Sequence, residues 1–426
     1  MASLVLLYGA IATQSRPNVH NIWNALDRDL HRQRRKLVGR AITDASMRAF
    51  EPTIVDQVDI FIKQLAGAKQ RPVNLKYRCG YLSFDIIGRL SFGYALNLQT
   101  DEQNRFLVDQ LARGNHRMNV YMQIPVIPHY RLQTYINKLL FQADREKTAR
   151  LMEMMIRSRM AEDKDAKRDL YSFVADALDA KDDEGLRLND LWYEAFFFII
   201  AGGDTIATAL SATFFYLSRN PECYRTLAEE IRTTFGSGNE IRGAKLAGCQ
   251  YLRACIDEAL RMSPPVPGTL WRHLAPEEEG GGPLIVDGHV IPRGTQVGVN
   301  IYSLHHNEEY FPDPFAYNPA RWLASADSKS GAAAAAARKA MHDAFSAFSV
   351  GARGCAGKPM AYLEASLVLA KTFWYFDFEA APGKLGYVGA GQRGEFHLYD
   401  IFTSTHDGPY LVFNARASFA EELSDN

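Results

Sequence analysis

Cysteine is scarce in this chain of 426 residues, which has five cysteines scattered between positions 79 and 355. No Cys-x-x-Cys pair and no cluster of cysteine with histidine occurs among them. Disulfide scaffolds need denser, paired cysteines, and structural zinc sites need several closely spaced ligands. The sparse, odd count therefore argues against both and fits a reducing compartment.

An excess of one charge sign is also missing. The chain has 48 basic and 49 acidic residues and a formal net charge of −1, so it has no general attraction to nucleic acid or acidic membranes. Its one local basic run, residues 28–40, lacks the interleaved aromatic residues of a nucleic-acid surface. We therefore expect no nucleic-acid partner.

A clear membrane-spanning run is absent as well. The start, MASLVLLYGAIATQ, offers about ten apolar residues without a basic flank, whereas a span needs about 20. A buried strand or short helix is the better interpretation there. Residues 192–217 are apolar nearly all round, but Glu194, Asp204 and the Gly202-Gly203 pair favour a helix buried in a core. No transmembrane segment is expected in this chain.

Apolar residues make up 47% of the sequence, enough for a large core. At roughly 150 residues per domain the length suggests two or three domains, unless a large buried cofactor organises a single core. Alternation at Val297, Val299 and Ile301 places strand character in residues 283–301, with a turn at Asp287-Gly288. Apolar spacing of 3.6 residues predicts helices over residues 28–41, 106–112, 135–159, 169–180, 189–219, 252–262 and from 360 onward. The predicted fold class is mainly α with a small β region.

The long helix has a flaw at its centre. Paired glycines inside a helix cost about 1 kcal/mol each relative to alanine, so Gly202-Gly203 needs a compensating contact. The pair could let a flat ligand approach the helix, with the Thr205 hydroxyl beside it. It could equally serve close packing against another helix, and the sequence leaves both open.

A Glu-x-x-Arg pattern, Glu258 to Arg261, lies in a helix that is otherwise rich in apolar residues. The spacing recurs as ordinary exposed pairs at Glu102/Arg105, Glu184/Arg187, Glu222/Arg225 and Glu229/Arg232. A buried ion pair is costly unless fully hydrogen-bonded, and it sets geometry more than it adds stability. Arg321, in the segment YNPARW, is the third partner we predict for a buried network with Glu258 and Arg261.

Cys355 stands alone in the glycine-rich loop FSVGARGCAG, before a helix that Pro359 can begin. The helix N-terminus favours negative charge and lowers a thiol pKa, so the position suits a thiolate. One soft ligand without companions fits the axial position of haem iron, where the porphyrin supplies the other ligands. Arg353 would then pair with a haem propionate. The alternative is a buried, inert cysteine.

The loop from Phe348 to Gly357 resembles the F-x-x-G-x-R-x-C-x-G cysteine-ligand loop of the cytochrome P-450 family. Residues 201–205, AGGDT, resemble that family's oxygen-binding groove, Glu258 and Arg261 its E-x-x-R, and Tyr317 to Trp322 its F-x-P-x-R-W segment. The resemblance covers nearly the whole chain. It implies the cytochrome P-450 fold, with haem b buried between the long central helix and the cysteine-loop helix.

The resemblance also implies a set of cofactor contacts. We expect them from Phe348, Arg353, Cys355, Gly357, Ala201, Arg272, Arg35 and His31. The family's W-x-x-x-R pattern appears here as His31 to Arg35, with histidine in place of tryptophan and Arg35 as the second propionate partner. Tyr317 replaces phenylalanine, and Ala320 replaces the usual glutamate. The chain begins near the family's second helix, so we expect one haem domain over residues 1–426 without the N-terminal anchor and first strands.

The activity that the resemblance implies is a haem-thiolate monooxygenase, in which Thr205 would hydrogen-bond dioxygen and Asp204 would connect it to solvent protons. Phe197, Ile200, Val266 and Leu270 are apolar candidates for the substrate pocket, which favours a lipophilic small molecule such as a secondary metabolite. Any of the four could also be ordinary core. A catalytically impaired, truncated haem-binding remnant is the alternative function.

The expected partners are dioxygen, the lipophilic substrate and an NADPH-dependent cytochrome reductase. The overall sequence resembles fungal relatives from secondary metabolism that accept electrons from such a reductase, which the outward charges of the basic run could receive. We expect a monomer that is cytoplasmic or peripheral at the endoplasmic reticulum membrane.

Overall fold

The computed structural model describes residues 3–4, 21–124, 126–163, 165–167, 169–175, 188–273, 283–323 and 332–416. Helices dominate these residues, and the strands form three small antiparallel sheets. This architecture confirms the predicted fold class of a mainly helical protein with a small β region.

The helices are numbered along the chain. They are α1 (Arg28–Ala41), α2 (Asp44–Ala66), α3 (Leu75–Phe92), α4 (Phe106–Gln123), α5 (Val126–His129), α6 (Leu132–Leu140), α7 (Gln142–Met160), α8 (Leu170–Ala175), α9 (Leu188–Leu217), α10 (Pro221–Thr234), α11 (Gly243–Ala247), α12 (Gln250–Met262), α13 (Ile301–His305), α14 (Ala332–Ala344) and α15 (Lys358–Tyr375).

The strands are short. They are β1 (Ser3–Leu4), β2 (Val73–Asn74), β3 (Arg272–His273), β4 (Leu284–Val286), β5 (His289–Ile291), β6 (Phe376–Ala380) and β7 (Tyr410–Ala415). The sheets pair β1 with β3, β4 with β5, and β2, β7 and β6 in that order. In β6, Phe376 and Phe378 are buried while Asp377 and Glu379 are exposed, which is the two-residue period of a strand with one face on the core.

Local chemistry explains where several helices begin and end. Asp27 caps α1 by accepting hydrogen bonds from the amides of Asp29 at 3.0 Å and Leu30 at 2.8 Å. Asn74 caps α3 in the same way, through the amide of Lys76 at 3.1 Å. Gly93 ends α3 in the left-handed region, with φ of 55°, a conformation that glycine adopts without strain. These signals are local and therefore visible in sequence.

The long helix α9 lies in the core of the described molecule, where it packs against α3, α12 and α15. Leu210, Phe214 and Phe215 on α9 are fully buried. By length and composition Phe196–Leu217 is also, within the described ranges, the one stretch apolar enough to cross a bilayer. The burial of these side chains in protein matches the interpretation of a core helix.

The Gly202-Gly203 pair is used for packing between helices. A Cβ at Gly202 would lie 2.8 Å from the side chain of Ile87, and a Cβ at Gly203 would lie 2.4 Å from the ring of Phe84, both on α3. Any larger residue would push α3 away from α9. Of the two interpretations that the sequence left open, the structure therefore supports the packing contact, which compensates the low helix propensity of the glycines.

Several predicted elements differ from the observed ones. The predicted helix 106–112 is the first part of the longer α4, and the predicted helix 135–159 is two helices, α6 and α7, interrupted at Phe141. Residues 176–180 of the predicted helix 169–180 lie outside the described residues, as do residues 1–14 of the N-terminal stretch apart from β1. The prediction of strand character at Ile301 was wrong. Ile301 begins α13, because the Asn300 side chain caps that helix by accepting from the Ser303 amide at 2.9 Å.

Some elements were not predicted at all. The helices α2 and α3 and the pair β6–β7 fall into this group. Nearly all of α3 is buried, so its sequence lacks a clean polar face with a helical period. The strands β6 and β7 pair Phe376 with Ala415 across a long intervening loop, which no local pattern announces.

Candidate active site

The Cys355 loop turns the chain sharply before α15. The Cys355 amide donates to the Phe348 carbonyl at 2.7 Å, and the Gly354 amide donates to the Gly351 carbonyl at 3.0 Å. Gly351 has φ of 71°, which a residue with a β-carbon adopts only with strain. The loop then passes directly into α15, whose cap position is Gly357. The sulfur thus lies beside the N-terminus of a helix.

The electrostatics of the Cys355 thiol combine opposing effects. Burial has the largest effect and raises the pKa of this thiol above its usual value, although the backbone amide of Gly357, the charge of Arg35, and the amide and charge of Lys358 lower it. The expectation that the helix N-terminus lowers the thiol pKa was therefore wrong for the net effect, because desolvation outweighs it. The side chain is nevertheless accessible. A metal cation bound to this accessible sulfur would hold it as the thiolate despite the desolvation, and the helix N-terminus would add to that effect.

Three arginines, Arg35, Arg353 and Arg272, form a cationic cluster near this loop, and His31 lies beside them. The Arg35 guanidinium donates to the Gly354 carbonyl at 2.5 Å, and Arg353 donates to the Ala25 carbonyl at 2.6 Å. Burial and then the charge of Arg272 lower the pKa of Arg353 to about 10. Burial and then the charges of Arg353 and Arg35 lower the pKa of His31 to about 4.

The cationic cluster fits an anionic ligand. One nitrogen of Arg353, Nη1, is buried and has no hydrogen-bond partner among the described residues. A buried guanidinium nitrogen left without a partner costs free energy that a carboxylate would recover. Within the described residues, no cluster of other metal-ligating side chains accompanies the Cys355 sulfur. A single soft ligand beside these cations fits haem, whose iron Cys355 would hold and whose propionates Arg353 and Arg35 would bind.

The remaining predicted cofactor contacts lie around the same loop and on α9. Phe348 packs its ring 5.1 Å from that of Tyr362, and a Cβ at Gly357 would lie 3.9 Å from the Cys355 sulfur, in ordinary contact. Arg272 donates to the carbonyls of Leu270 and Trp271. Ala201 is half-buried on α9, which packs against α15.

Asp204 and Thr205 lie on α9, and both residues are half-buried. Burial alone raises the pKa of Asp204 to about 7. The Thr205 hydroxyl donates to the Ala201 carbonyl at 2.6 Å, one turn back along the helix. That bond leaves the lone pairs of the hydroxyl able to accept a hydrogen bond.

The structure brings Glu258, Arg261 and Arg321 together in one buried network. Arg261 binds Glu258 through two hydrogen bonds, at 3.0 and 2.9 Å, and Arg321 donates to the same carboxylate at 3.0 Å. The carboxylate also accepts from the indole of Trp322 at 2.9 Å and from the amide of Asn318 at 3.0 Å. Five donors on one carboxylate satisfy the charge fully.

Sequence reasoning missed Trp322, Asn318 and a further member of this network. Arg261 donates to the His305 carbonyl at 2.9 Å, and the His305 ring accepts from the Ser346 amide at 2.9 Å, in the segment that leads to the Cys355 loop. Trp322 follows Arg321 directly in the sequence, so its indole was a readable signal. His305 carried none.

The predicted substrate-pocket residues Phe197, Ile200, Val266 and Leu270 are all half-buried. The Phe197 ring stacks on Trp23 with centroids 6.2 Å apart, and Trp23 meets Phe402 edge-on at 5.7 Å. Met118 and Met122 of α4 pack into the same cluster. These four missed residues lie on three separate segments, so no motif joined them. Together with Phe197 they form an apolar, aromatic cluster whose chemistry suits a lipophilic ligand.

Comparisons with known proteins agree with this geometry. A family model described as Cytochrome P-450 matches residues 9–385. The chain is 33% identical to cytochrome P-450 monooxygenase apf7 of Gibberella fujikuroi, over 94% of this chain and 78% of that one. It is 34% identical to a cytochrome P-450 monooxygenase of Gibberella zeae, over 95% of this chain and 94% of that one.

Among solved structures, the crystal structure of the cytochrome P-450DA haem domain superposes with a TM-score of 0.78. The match covers 97% of this chain and 84% of that one at 17% identity, so it supports the fold alone.

Proposed function

The chain belongs to the cytochrome P-450 family and is a monooxygenase of the oxidoreductase class; on that premise we propose that it inserts one oxygen atom of dioxygen into a lipophilic small molecule, as a step in secondary metabolism. Haem b held by Cys355 would serve as cofactor, with electrons from NADPH through a reductase. The observation that carries the proposal is the exposed Cys355 sulfur beside a helix N-terminus and the cationic cluster.

The haem, when bound through a thiolate, supplies reductive activation of dioxygen and favours O–O cleavage. The chain's own residues then have to manage protons. The overall reaction consumes two electrons and two protons for each oxygen atom inserted, and the other oxygen atom leaves as water. With its pKa raised to about 7, Asp204 holds and releases a proton near neutral pH. Thr205 can accept a hydrogen bond while its own hydrogen stays on the Ala201 carbonyl.

The exposed face of α1 supports docking of an acidic electron donor. Arg28, Arg32, Lys36 and Arg40 are exposed on this helix. Arg35 of the same helix reaches the carbonyl of Gly354, the neighbour of Cys355. The exposed charges are therefore close to the proposed iron ligand, and electrostatic steering there would weaken as salt increases.

A peripheral membrane location is supported by an apolar surface on α5, α6 and their flanks. The side chains exposed there are Ile124, Val126, Tyr130, Leu132, Tyr135, Leu139 and Leu140. Leu139 is 83% exposed and Tyr135 73% exposed, and apolar patches of this kind mark interaction surfaces. Leucine with tyrosine suits the boundary between acyl chains and headgroups.

We expect Leu139→Ser to reduce flotation with phosphatidylcholine vesicles, whereas Tyr387→Ser, at an exposed position outside this surface, leaves flotation unchanged.

The test of the proposed function is the spectrum of the reduced, carbon-monoxide-bound protein. The wild type should show the red-shifted Soret band of thiolate ligation, and Cys355→Ser should lose it. Cys223→Ser, at a half-buried cysteine on α10, is the matched control and should keep the band. A wild type without this band would defeat the proposal. A normal band without NADPH-dependent oxidation of any tested compound would favour the impaired remnant instead.

A further inference from the structure

Asn115 carries a polar atom that the fold leaves unsatisfied. This residue lies on α4 with 6% of its surface exposed, and its Oδ1 is buried without a hydrogen-bond partner among the described residues. Buried side-chain oxygens in native proteins almost always have a partner, so an orphaned one points to a missing ligand or water. None of the active-site residues described above donates a hydrogen bond to Oδ1.

The orientation of the Asn115 amide is determined by its neighbour. Nδ2 donates to the Thr403 carbonyl at 2.8 Å and to the Thr403 hydroxyl. A backbone carbonyl can only accept, so rotating the amide by half a turn would set two oxygens against each other. Oδ1 therefore remains an acceptor that points away from Thr403.

Two sets of contacts show that Asn115 lies beside the apolar, aromatic cluster of Trp23, Phe402, Met118 and Met122. Asn115, Met118 and Met122 are three and four residues apart and so share one face of α4. Met118 and Met122 pack with Trp23 and Phe402, the neighbour of Thr403. Independently, the hydroxyl of Thr208 on α9 donates to the Ser404 carbonyl at 3.3 Å. Residues 402–404, which bind Asn115 through Thr403, therefore lie next to α9 at Thr208, about one helical turn after Thr205.

We propose that Asn115 is a specificity-determining residue, whose side-chain carbonyl accepts a hydrogen bond from an O–H or N–H group on an otherwise apolar substrate. The inference rests on the proposed monooxygenase function and narrows its substrate class. The cluster beside Asn115 is aromatic and aliphatic, so a single acceptor next to it would discriminate strongly between ligands. A ligand without the donor leaves Oδ1 buried and unpaired, which sites of this kind reject.

The experiment compares two ligands of nearly equal shape, 2-naphthol with an O–H donor and 2-methoxynaphthalene without one. Dissociation constants are measured on the haem-loaded protein by isothermal titration calorimetry and by the Soret difference spectrum. The wild type should bind 2-naphthol about fivefold to tenfold more tightly, the range of one net hydrogen bond. Asn115→Leu should bring the ratio of the two constants close to one. Asn115→Gln, which keeps both the carbonyl acceptor and the N–H groups that Thr403 requires, should preserve the preference.

The control is His116→Leu, at the exposed neighbouring position of α4, which should leave the ratio as in the wild type. Haem content and thermal melting of each variant show whether it is folded. Equal affinities of the wild type for the two ligands would overturn the proposal, and so would a wild type that binds neither of them. A preference for 2-naphthol that survives in folded Asn115→Leu would also overturn it. A water bound at Oδ1 predicts those equal affinities. Loss of the thiolate band contradicts the monooxygenase function alone, because calorimetry does not depend on it.

Discussion

At the scale of single residues, the hydroxyl of Thr205 has its hydrogen committed. It donates to the Ala201 carbonyl at 2.6 Å, a bond that competes with donation to any other acceptor. Asp204, the adjacent residue, carries a carboxyl whose pKa burial raises to about 7. In the proposed mechanism, Thr205 accepts a hydrogen bond and the adjacent Asp204 stores a proton, so the two residues would divide the proton delivery between them.

Thr205→Val should retain the shape of the side chain and remove its hydroxyl. We expect the haem to remain bound while product per NADPH falls about tenfold or more and hydrogen peroxide rises, because the proton relay is interrupted. Product and peroxide are quantified per NADPH consumed. Thr205→Ser keeps a hydroxyl and is the control. Unchanged coupling in Thr205→Val would remove Thr205 from the relay.

Glu364 is a second residue with an unusual environment, one that the sequence analysis did not identify. It lies on α15 with 2% of its surface exposed, and its Oε1 has no hydrogen-bond partner in the part of the chain that the structure describes. Burial raises its pKa from 4.5 to about 8, an effect that the nearby Ser83 hydroxyl partly offsets without forming a well-aligned hydrogen bond. At neutral pH the folded protein holds this carboxyl protonated.

The pH dependence of stability follows from that shift. A folded-state pKa above the unfolded value gives a stabilisation that is fully present below pH 4.5 and is lost as pH rises toward 8. Glu364→Gln cannot ionise, so the wild type should lose about 3 kcal/mol of unfolding free energy relative to this variant between pH 5 and pH 8. Urea unfolding of both proteins at several pH values measures the difference, and a difference that does not vary with pH would contradict the assignment.

At the scale of elements, α9 and α3 form the contact on which the core is built. The glycines of α9 lie against Ile87 and Phe84, at distances that leave no room for a β-carbon. Close approach of two helices increases dispersion contact along their length and offsets the cost of glycine in a helix.

Gly203→Ala is therefore expected to destabilise the protein by about 1 to 3 kcal/mol, although alanine is the better helix former, because the new methyl group would overlap the Phe84 ring. Gly39→Ala is the matched control. Gly39 lies on the exposed side of α1 with no atom within 4 Å of a new Cβ, so this change should stabilise by up to about 1 kcal/mol. Opposite signs in thermal or urea unfolding are the expected outcome, and stabilisation by both would refute the packing argument.

At the scale of the whole molecule, the network around Glu258 joins distant parts of the chain. It links α12 to the segment at Asn318 and Trp322, while Arg261 and His305 extend it to Ser346 before the Cys355 loop. Such a buried network contributes more to a unique geometry than to net stability. Here the geometry concerned is the position of the loop relative to the core.

Glu258→Gln should lower the free energy of unfolding by about 3 to 5 kcal/mol and reduce haem retention, since two buried guanidinium groups would lose their carboxylate. The matched control is Glu222→Gln, which has the same spacing to Arg225 in an exposed pair with side chains 82% and 67% exposed. That variant should behave as the wild type in both measurements. Equal effects of the two substitutions would show that burial of the Glu258 pair does not matter.

The sequence alone determined the features that depend on residue type and local spacing. The ligand loop around Cys355, the helix α1, the β4–β5 turn and the apolar character of α9 belong to this group, because each is encoded within a short window. The resemblance to the cytochrome P-450 family rested on such windows, and the family comparison confirmed it. The burial of Glu258 was also readable, since its helix is apolar.

Only the tertiary structure decided which side chains meet. In the folded protein the glycine pair of α9 packs against α3, and the Trp322 indole donates a hydrogen bond to Glu258. Asn115 binds Thr403, which is 288 residues away in the sequence. These contacts arise when separate elements are packed at fixed distances, and a hydrogen bond or a steric fit depends on that placement to within a few tenths of an ångström. Residue spacing along the chain carries no such information.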